Sequence, residues 1–316
     1  MCLSLMARFA AIDVGTNSVL LLVAEREADG TFRPVAERMD ITRLGRGVDA
    51  TGSLSREGME ATLRALASFA GEARALGAQG IAVSATSAAR DARNGAEFLQ
   101  AARTRAGVEV EILPGEREAQ YSFDAVSTDT AVCAAGAPVV VVDIGGGSTE
   151  LVFGRGTSVT FRHSFDVGAV RMTERFLRGD PPTPPELAAL RDALRATFST
   201  LPPRSEGQGL VGVAGTVTTL YCVQHAIQPY DSRRVHAGTL SAKELDGLVD
   251  RLAALPTAAR AQLPGLDPRR ADVVVAGALI LQAVVQSLGA PTLAVSDRGL
   301  RWGLLAARFG ATNVHG

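Results

Sequence analysis

Short apolar runs of strand length, separated by small polar loops, dominate the first part of the chain. Three such runs come first, then a long segment with apolar residues at helical spacing, and then strand and helix patterns in alternation. The predicted strands span residues 8–13, 18–26, 32–41, 81–85 and 108–113, and the predicted helices span 55–76, 96–105 and 116–126. The resulting order is βββαβαβα.

After a Gly- and Ala-rich segment at residues 134–138, which predicts a linker, a similar order begins again. Ser241 and Glu244 have the spacing of a capping box and predict the start of a helix. The predicted strands are 139–143, 150–153, 158–164, 210–214 and 292–295, and the predicted helices include 169–177, 185–200, 270–288 and 299–309. Apart from an insertion, the second half repeats the first. The sequence therefore predicts an α/β protein with two similar domains, and 316 residues is a suitable length for two.

One loop motif occurs in each half of the chain. Asp143-Ile-Gly-Gly-Gly-Ser-Thr-Glu150 follows an apolar run, and so does Asp13-Val-Gly-Thr-Asn-Ser18. Because glycine has no Cβ atom, such a loop can direct successive backbone N–H groups at a phosphate. The Asp at each strand end can hold a metal ion or a water molecule. A single copy could equally be a tight hairpin, but the repetition favours two domains that close on one string of phosphates.

The charge composition narrows the class of ligand. A formal net charge of −1 argues against a dedicated nucleic-acid-binding protein, which normally needs a basic excess. Lys243 is the only lysine, so the chain has no Gly-Lys-Ser/Thr phosphate-binding loop. The four histidines have no metal-ligand spacing, and we expect them to be structural.

Cysteine usage and hydropathy predict a location in the cytoplasm. Cys2, Cys133 and Cys222 have no paired spacing, which argues against disulfides and a structural zinc site. The N-terminus lacks a basic segment ahead of its apolar residues, so it does not resemble a signal peptide. The apolar stretch at 273–288 is interrupted by two glutamines and is short for a membrane span. We expect a buried helix there and no membrane association.

Seven motifs in a characteristic order resemble those of the exopolyphosphatase/guanosine pentaphosphate phosphatase (Ppx/GppA) family. They are Ala11-Ile-Asp-Val-Gly-Thr-Asn-Ser18, Ala85-Thr-Ser-Ala-Ala-Arg90 with Asn94, Gly115-Glu-Arg-Glu118-Ala, Val142-Asp-Ile-Gly-Gly-Gly-Ser-Thr-Glu150-Leu, Gly168-Ala-Val-Arg171, Gly212-Val-Ala-Gly215-Thr216 and Ser296-Asp-Arg-Gly-Leu-Arg301. The resemblance covers nearly the whole chain and is closest to the short, two-domain form of the family.

The resemblance implies an α/β fold of two similar actin-like (ribonuclease H-like, βββαβαβα) domains that flank an interdomain cleft. In the actin superfamily the last helix returns to the first domain. We therefore expect one domain at residues 1–131 together with 298–316, and the other at residues 132–297.

The resemblance also implies roles for individual residues. Glu118 corresponds to the carboxylate that the family uses as general base, although the first turn of a helix also favours an acid for its dipole. Asp143 and Glu150 would complete the catalytic set, and both, with Asp13, would hold Mg²⁺ or Mn²⁺. The predicted phosphate-binding residues are Thr16, Asn17, Ser18, Arg90, Gly145, Gly146, Gly147, Ser148 and Thr149.

Several of these assignments have plain structural alternatives. Asp13 and Asp143 could be turn formers, and Glu150 could be a surface carboxylate on an edge strand. Arg90 could grip a phosphate in bidentate fashion or could be an arginine on a helix surface. Gly215 and Thr216 resemble the nucleoside-side loop of the superfamily, but a simple strand-to-helix turn also explains them.

The activity implied by the resemblance is removal of the terminal phosphate of inorganic polyphosphate by metal-assisted attack of water. One alternative keeps the site but acts on guanosine pentaphosphate, the substrate linked to the stringent response. A small-molecule kinase of the same superfamily and a sensor that binds guanosine tetra- or pentaphosphate with little turnover are further alternatives. The expected partners are polyphosphate or guanosine pentaphosphate and a second copy of the chain in a homodimer, not nucleic acid or membrane.

Overall fold

The computed structural model describes residues 7–310, which form two compact α/β units, each with its own mixed sheet. Of the described residues, unit 1 contains those up to Tyr121 and those from Leu300 to residue 310, and unit 2 runs from Ser122 to Gly299. Residues 1–6, which carry the prediction about a signal peptide, lie outside the described residues, as do residues 311–316.

Unit 1 starts with the three predicted strands and continues with alternating helices and strands. Its elements are β1 (Arg8–Val14), β2 (Ser18–Arg26), β3 (Phe32–Ile41), α1 (Val48–Thr51), α2 (Arg56–Ala75), β4 (Ala78–Ala85), α3 (Ser87–Asp91), α4 (Gly95–Ala106), β5 (Val110–Ile112) and α5 (Gly115–Ser127), whose last residues belong to unit 2. The sheet order is β3-β2-β1-β4-β5. Strands β1 to β3 pair antiparallel, whereas β4 pairs parallel with β1 and β5 parallel with β4.

Unit 2 repeats this plan with a larger sheet. Its elements are β6 (Pro138–Ile144), β7 (Thr149–Arg155), β8 (Ser158–Phe165), α6 (Ala169–Phe176), α7 (Pro184–Phe198), β9 (Gly209–Val213), α8 (Ala214–His225), α9 (Ser232–Val235), β10 (Gly238–Ser241), α10 (Ala242–Ala254), α11 (Thr257–Arg260), α12 (Val274–Ser287) and β11 (Thr292–Val295). The order is β10-β11-β9-β6-β7-β8. The last helix, α13 (Leu300–Phe309), belongs to unit 1.

Strand β2 is apolar on both faces because helices cover both sides of the sheet of unit 1. Leu21 and Val23 pack in a core with residues of α2 and α4. Leu22, which points to the opposite face, packs with Leu304 and Leu305 of α13. The continuous apolar run of β2 is thus explained by burial on both faces, as in other sheets covered on two sides.

Helix α12 is the apolar stretch that the sequence predicts as a buried helix, and the prediction is confirmed. It starts at Val274, after a short 3₁₀ turn at Pro268–Arg270, and packs against α6, α7, α8 and α10. Its side chains are buried on nearly every face. Within residues 7–310 no helix is both long and apolar enough to cross a membrane.

Five short elements were not predicted: α1, α3, α9, α11 and β10. Each has only four or five residues, too few for a hydrophobic period to show in the sequence. Strand β10 depends on antiparallel pairing with β11, a partner far along the chain. The predicted capping box next to β10 is confirmed, because the backbone N–H of Ser241 donates to the Glu244 carboxylate (2.8 Å) and that of Glu244 donates to Ser241 Oγ (3.2 Å).

Candidate functional site

The two predicted loop motifs close their hairpins in the same way. In unit 1 the N–H of Gly15 donates to the carbonyl of Ser18 at 2.9 Å, and in unit 2 the N–H of Gly145 donates to the carbonyl of Ser148 at 3.0 Å. The turn is therefore built twice from the same spacing of glycine and serine.

The strands beside the two turns also have the same register. Asp13 on β1 lies opposite Leu20 on β2, and Asp143 on β6 lies opposite Glu150 on β7. The predicted repetition of the hairpin is confirmed. The repeat is chemically unequal, since only the hairpin of unit 2 has a second carboxylate across from its aspartate.

The backbone carbonyls of the unit 2 loop are held from one side by the start of α6. The N–H of Ala169 donates to the Gly145 carbonyl (3.0 Å), and the N–H groups of Val170 and Arg171 donate to the Gly146 carbonyl (2.8 and 3.1 Å). In a trans peptide unit the N–H points opposite to the C=O. The N–H groups that follow these two carbonyls therefore point away from α6, in the arrangement of an anion-binding nest.

The loop of unit 1 is anchored by the same principle. The Thr16 carbonyl accepts from the N–H of Gly45 (2.8 Å), and the Asn17 carbonyl accepts from the N–H groups of Thr42 and Arg43 (3.1 and 3.0 Å). The N–H groups of the residues that follow, in the Asn17–Ser18 stretch, thus point away from the anchoring segment. Both units direct consecutive backbone donors to one side of a short loop.

Three polar side chains form a row across the sheet of unit 2. Asp143 on β6 lies opposite Glu150 on β7, and Glu150 lies opposite Ser164 on β8. Both carboxylates are buried, with 9% and 3% exposure. Ser122 Oγ donates to Asp143, and Ser164 Oγ donates to Glu150 at 2.7 Å. Because like charges directly opposite each other destabilise a sheet, this pair favours a bound cation or a proton.

The pKa of Asp143 also indicates that its carboxylate favours a bound cation or a proton. Burial raises the pKa of Asp143 above its ordinary value, and the hydrogen bond from Ser122 opposes that shift. A cation beside the carboxylate would also favour its charged form. The oxygen donors suit a hard divalent ion. Within residues 7–310, no three His, Cys, Asp or Glu side chains are grouped so as to hold a metal by themselves. Water or phosphate oxygens would therefore have to complete the coordination around Asp143 and Glu150.

In unit 1, the predicted base Glu118 forms an ion pair with the predicted phosphate clamp Arg90. Glu118 lies in the first turn of α5 and is buried, whereas Glu116 in the same turn is exposed. Arg90 Nη1 also donates to the carbonyl of Leu113 at 2.9 Å. The pairing fixes the orientation of the Glu118 carboxylate, and burial distinguishes it from the neighbouring acid.

Helix α3 links Arg90 to the loop of unit 1. The helix is separated from β4 by one residue, Thr86. Ser87, its first residue, shares a hydrogen bond with Thr16 through their hydroxyl oxygens (2.8 Å). The predicted phosphate-binding residues Thr16 and Arg90 are thus held by the same short helix.

Two predicted site hydroxyls in unit 2 donate to backbone carbonyls. Thr149 Oγ1 donates to the Val167 carbonyl (2.6 Å), and Thr216 Oγ1 donates to the Ile144 carbonyl (3.0 Å). These bonds tie the segment before α6 and the start of α8 to the hairpin of unit 2.

Gly215 lies in the first turn of α8, next to Ala214, which starts the helix directly after β9 and has a left-handed φ of 67°. A Cβ atom at Gly215 would stand 2.5 Å from Nη1 of Arg270. Burial lowers the pKa of Arg270 below its ordinary value. The close approach of this guanidinium gives a local packing reason for glycine at this position.

Sequence reasoning gave no role to three residues that touch the candidate site: Ser122, Ser164 and Arg171. Ser122 lies one helical turn after Glu118 on α5, a spacing that could have suggested it. Arg171 is within one of the recognised motifs, but its bond from Nε to the Gly147 carbonyl (2.8 Å) depends on the fold. Ser164 could not be found from the sequence, because strand pairing brings it to Glu150.

Known proteins share both the sequence and the fold of this chain. The model of the Ppx/GppA phosphatase family matches residues 22–310. Exopolyphosphatase 2 of Mycobacterium tuberculosis is 36% identical, over 96% of this chain and 99% of that protein. Exopolyphosphatase 1 of the same species is 31% identical, over 96% of this chain and 88% of that protein.

A crystal structure of the Ppx/GppA family member from Aquifex aeolicus gives a TM-score of 0.80 at 34% identity, over 96% of this chain and 97% of that one. This match confirms the predicted α/β fold with actin-like units. The repeated hairpins, the family model and the full-length relatives lead to one conclusion: the chain belongs to the Ppx/GppA phosphatase family.

Proposed function

We propose that this protein is an exopolyphosphatase, which hydrolyses the terminal phosphoanhydride of inorganic polyphosphate and releases orthophosphate. The observation that carries the proposal is the repeated loop whose carbonyls are anchored and whose N–H groups point to the opposite side. The relative named Exopolyphosphatase 2, which aligns over nearly its whole length, supports this substrate class. Membership of a phosphatase family makes the protein a hydrolase rather than a kinase.

The substrate phosphates are bound mainly by backbone donors. Consecutive N–H groups near Asn17–Ser18 and Gly146–Ser148 can hydrogen-bond to phosphate oxygens without a lysine, and Lys243 is the only lysine in the chain. Arg90 adds a guanidinium, whose fork suits two oxygens of one phosphate. Together, these donors would neutralise the negative charge on the phosphoryl and leaving-group oxygens, as phosphoryl transfer requires.

A divalent cation is the proposed cofactor, and Asp143 and Glu150 are the residues that would hold it. Asp13, the third predicted ligand, has the matching position in the hairpin of unit 1. The burial of two opposed carboxylates in unit 2 fits such an ion. When bound, it would neutralise charge on the phosphate oxygens. We propose Mg²⁺, with Mn²⁺ as the alternative. Both ions bind carboxylate and water oxygens.

Glu118 is the proposed general base. A buried carboxylate held in one orientation can accept the proton of the attacking water as the water's oxygen bonds to the terminal phosphorus and the anhydride bond breaks. Arg90, which contacts Glu118 and is proposed to contact the phosphate, would position base and phosphate relative to each other.

Release of orthophosphate tests the proposal. The purified protein is incubated with polyphosphates of graded length, with guanosine pentaphosphate, and with no substrate, each with Mg²⁺, with Mn²⁺ and with EDTA. Metal-dependent release from polyphosphate at a higher kcat/KM than from guanosine pentaphosphate supports the assignment. Faster release from guanosine pentaphosphate replaces it with the other activity, and tight binding of that nucleotide without release replaces it with a sensor.

A further inference from the structure

Among the carbonyls of the glycine run in unit 2, that of Gly147 is held by a side chain, whereas those of Gly145 and Gly146 accept from backbone N–H groups. Arg171 Nε donates to the carbonyl of Gly147 at 2.8 Å. The equivalent carbonyl in unit 1 is that of Asn17, and it accepts from the backbone N–H groups of Thr42 and Arg43. The two hairpins therefore fix the same peptide unit with different donors.

The residue types at this position explain why the anchor matters more in unit 2 than in unit 1. Asn17 has a side chain that restricts its backbone torsions, whereas Gly147 has none and can rotate its peptide unit at little steric cost. Translation of the loop towards α6 is already blocked, since even a Cβ atom at Gly168 would lie 2.4 Å from the Gly146 carbonyl and from the backbone nitrogen of Gly147. That contact does not by itself prevent rotation of the Gly147–Ser148 peptide, which glycine permits at little steric cost.

We propose that Arg171 is a positioning residue for the substrate: through Nε it locks the Gly147–Ser148 peptide so that the N–H of Ser148 faces the bound phosphate. Because C=O and N–H point in opposite directions in a trans peptide, a donor that fixes the carbonyl also fixes the N–H. This inference rests on the proposed function, since it takes the loop to bind a phosphate of the substrate.

Three substitutions separate the donor at this position from the positive charge. In Arg171→Gln, the amide nitrogen is as many bonds from Cα as Nε of arginine, so it can donate to the Gly147 carbonyl without a charge. Arg171→Met has similar length but neither donor nor charge. Arg171→Lys keeps the charge but has a methylene group where Nε was. Arg175→Met, on the exposed side of α6 one turn later, is the control for loss of an arginine from this helix.

The experiment measures KM and kcat for tripolyphosphate and for a longer polyphosphate, together with the melting temperature of each variant. Arg171→Met and Arg171→Lys are expected to raise KM about tenfold or more, the usual effect of losing one hydrogen bond to a charged group, with a smaller change in kcat. Arg171→Gln should stay within about threefold of the wild-type KM, and Arg175→Met should equal wild type.

Three results would overturn the inference. If Arg171→Lys keeps the wild-type KM while Arg171→Gln does not, the charge of Arg171 acts and the anchor does not. If all three variants equal wild type, the peptide needs no side-chain anchor. If Arg171→Gln raises KM as much as Arg171→Met does, a hydrogen-bond donor at the Nε position is not what positions the peptide. Failure of the proposed function is distinct from all of these, because wild-type protein would then release no phosphate from either substrate.

Discussion

Among single residues, burial distinguishes Glu118 from Glu116, two neighbouring acids that the sequence alone does not tell apart. Glu118 is buried and paired with Arg90, whereas Glu116 is exposed. Glu118→Gln keeps the size of the side chain but cannot accept the proton of water, so kcat for polyphosphate should fall by about 10² to 10⁴. Substrate affinity should change much less. Steady-state phosphate release measures both.

Glu116→Gln is the matched control for Glu118→Gln, since it makes the same chemical change within the same helical turn. It should have nearly wild-type kcat. If Glu116→Gln has a strongly reduced kcat and Glu118→Gln has nearly wild-type kcat, the base has been assigned to the wrong carboxylate.

Asp143 should respond to substitution in a different way from Glu118, because its proposed role is to hold the cation. Asp143→Asn weakens metal binding, so raising the concentration of Mg²⁺ should restore part of the lost activity. No concentration of metal should rescue Glu118→Gln. Titration of activity against Mg²⁺ for the two variants makes the comparison. If the activity of Asp143→Asn depends on the Mg²⁺ concentration in the same way as that of wild type, Asp143 is not a metal ligand.

Among the secondary-structure elements, α6 and the unit 2 loop fit together without spare volume. A methyl group at Gly168 would overlap the backbone of Gly146 and Gly147. Gly168→Ala should therefore displace the loop, lower kcat/KM and cost about 1–3 kcal/mol of unfolding free energy, as overpacking does. Chemical denaturation and phosphate release measure the two effects.

Gly247→Ala is the control for the substitution at Gly168. Gly247 lies in α10 with open space around its Cα, so alanine should leave activity unchanged and stabilise the helix slightly. A Gly168→Ala protein as stable and active as this control would show that the loop can shift without consequence.

On the scale of the whole chain, His236 contacts two segments that lie close in sequence to the points where the chain crosses from one unit to the other. The chain passes between units after Tyr121 and after Gly299. His236 Nε2 lies 3.1 Å from Asp129, and Nδ1 lies 3.1 Å from Asp297. Both contacts are close ion pairs when the imidazole is protonated. Together they raise the pKa of His236 to about 9, Asp129 contributing most.

This cluster gives the stability of the protein a definite pH dependence. The folded-state pKa of about 9 is above the ordinary value of 6.5, so the stabilisation is fully present below about pH 6.5 and is lost as the pH rises through 9. His236→Gln should lower the free energy of unfolding by roughly 1–3 kcal/mol at pH 6.5 and by much less at pH 10. Urea unfolding of both proteins at the two pH values tests this.

The exposed His163 supplies the control for loss of an imidazole, because His163→Gln should leave the free energy of unfolding nearly unchanged. A difference between wild type and His236→Gln that is constant from pH 6.5 to pH 10 would mean that packing of the ring, not its charge, is what stabilises the cluster.

The sequence alone determined the α/β class, the longer elements and the repeated hairpin. Apolar runs and turn residues are local signals, and strands such as β2 and helices such as α2 are long enough to show them. The capping box at Ser241 was predictable for the same reason, since both of its hydrogen bonds join residues three positions apart. The order of the motifs was sufficient to indicate the family.

Tertiary structure decided the contacts between residues that are distant in the sequence. The pairing of Arg90 with Glu118, the row from Asp143 to Ser164 and the anchor from Arg171 to Gly147 each require a particular helix position or strand register. No local pattern encodes these, because they arise from packing of the whole unit. The sequence therefore determined which chemical groups are available, and the fold decided which of them are buried, paired and aimed at one another.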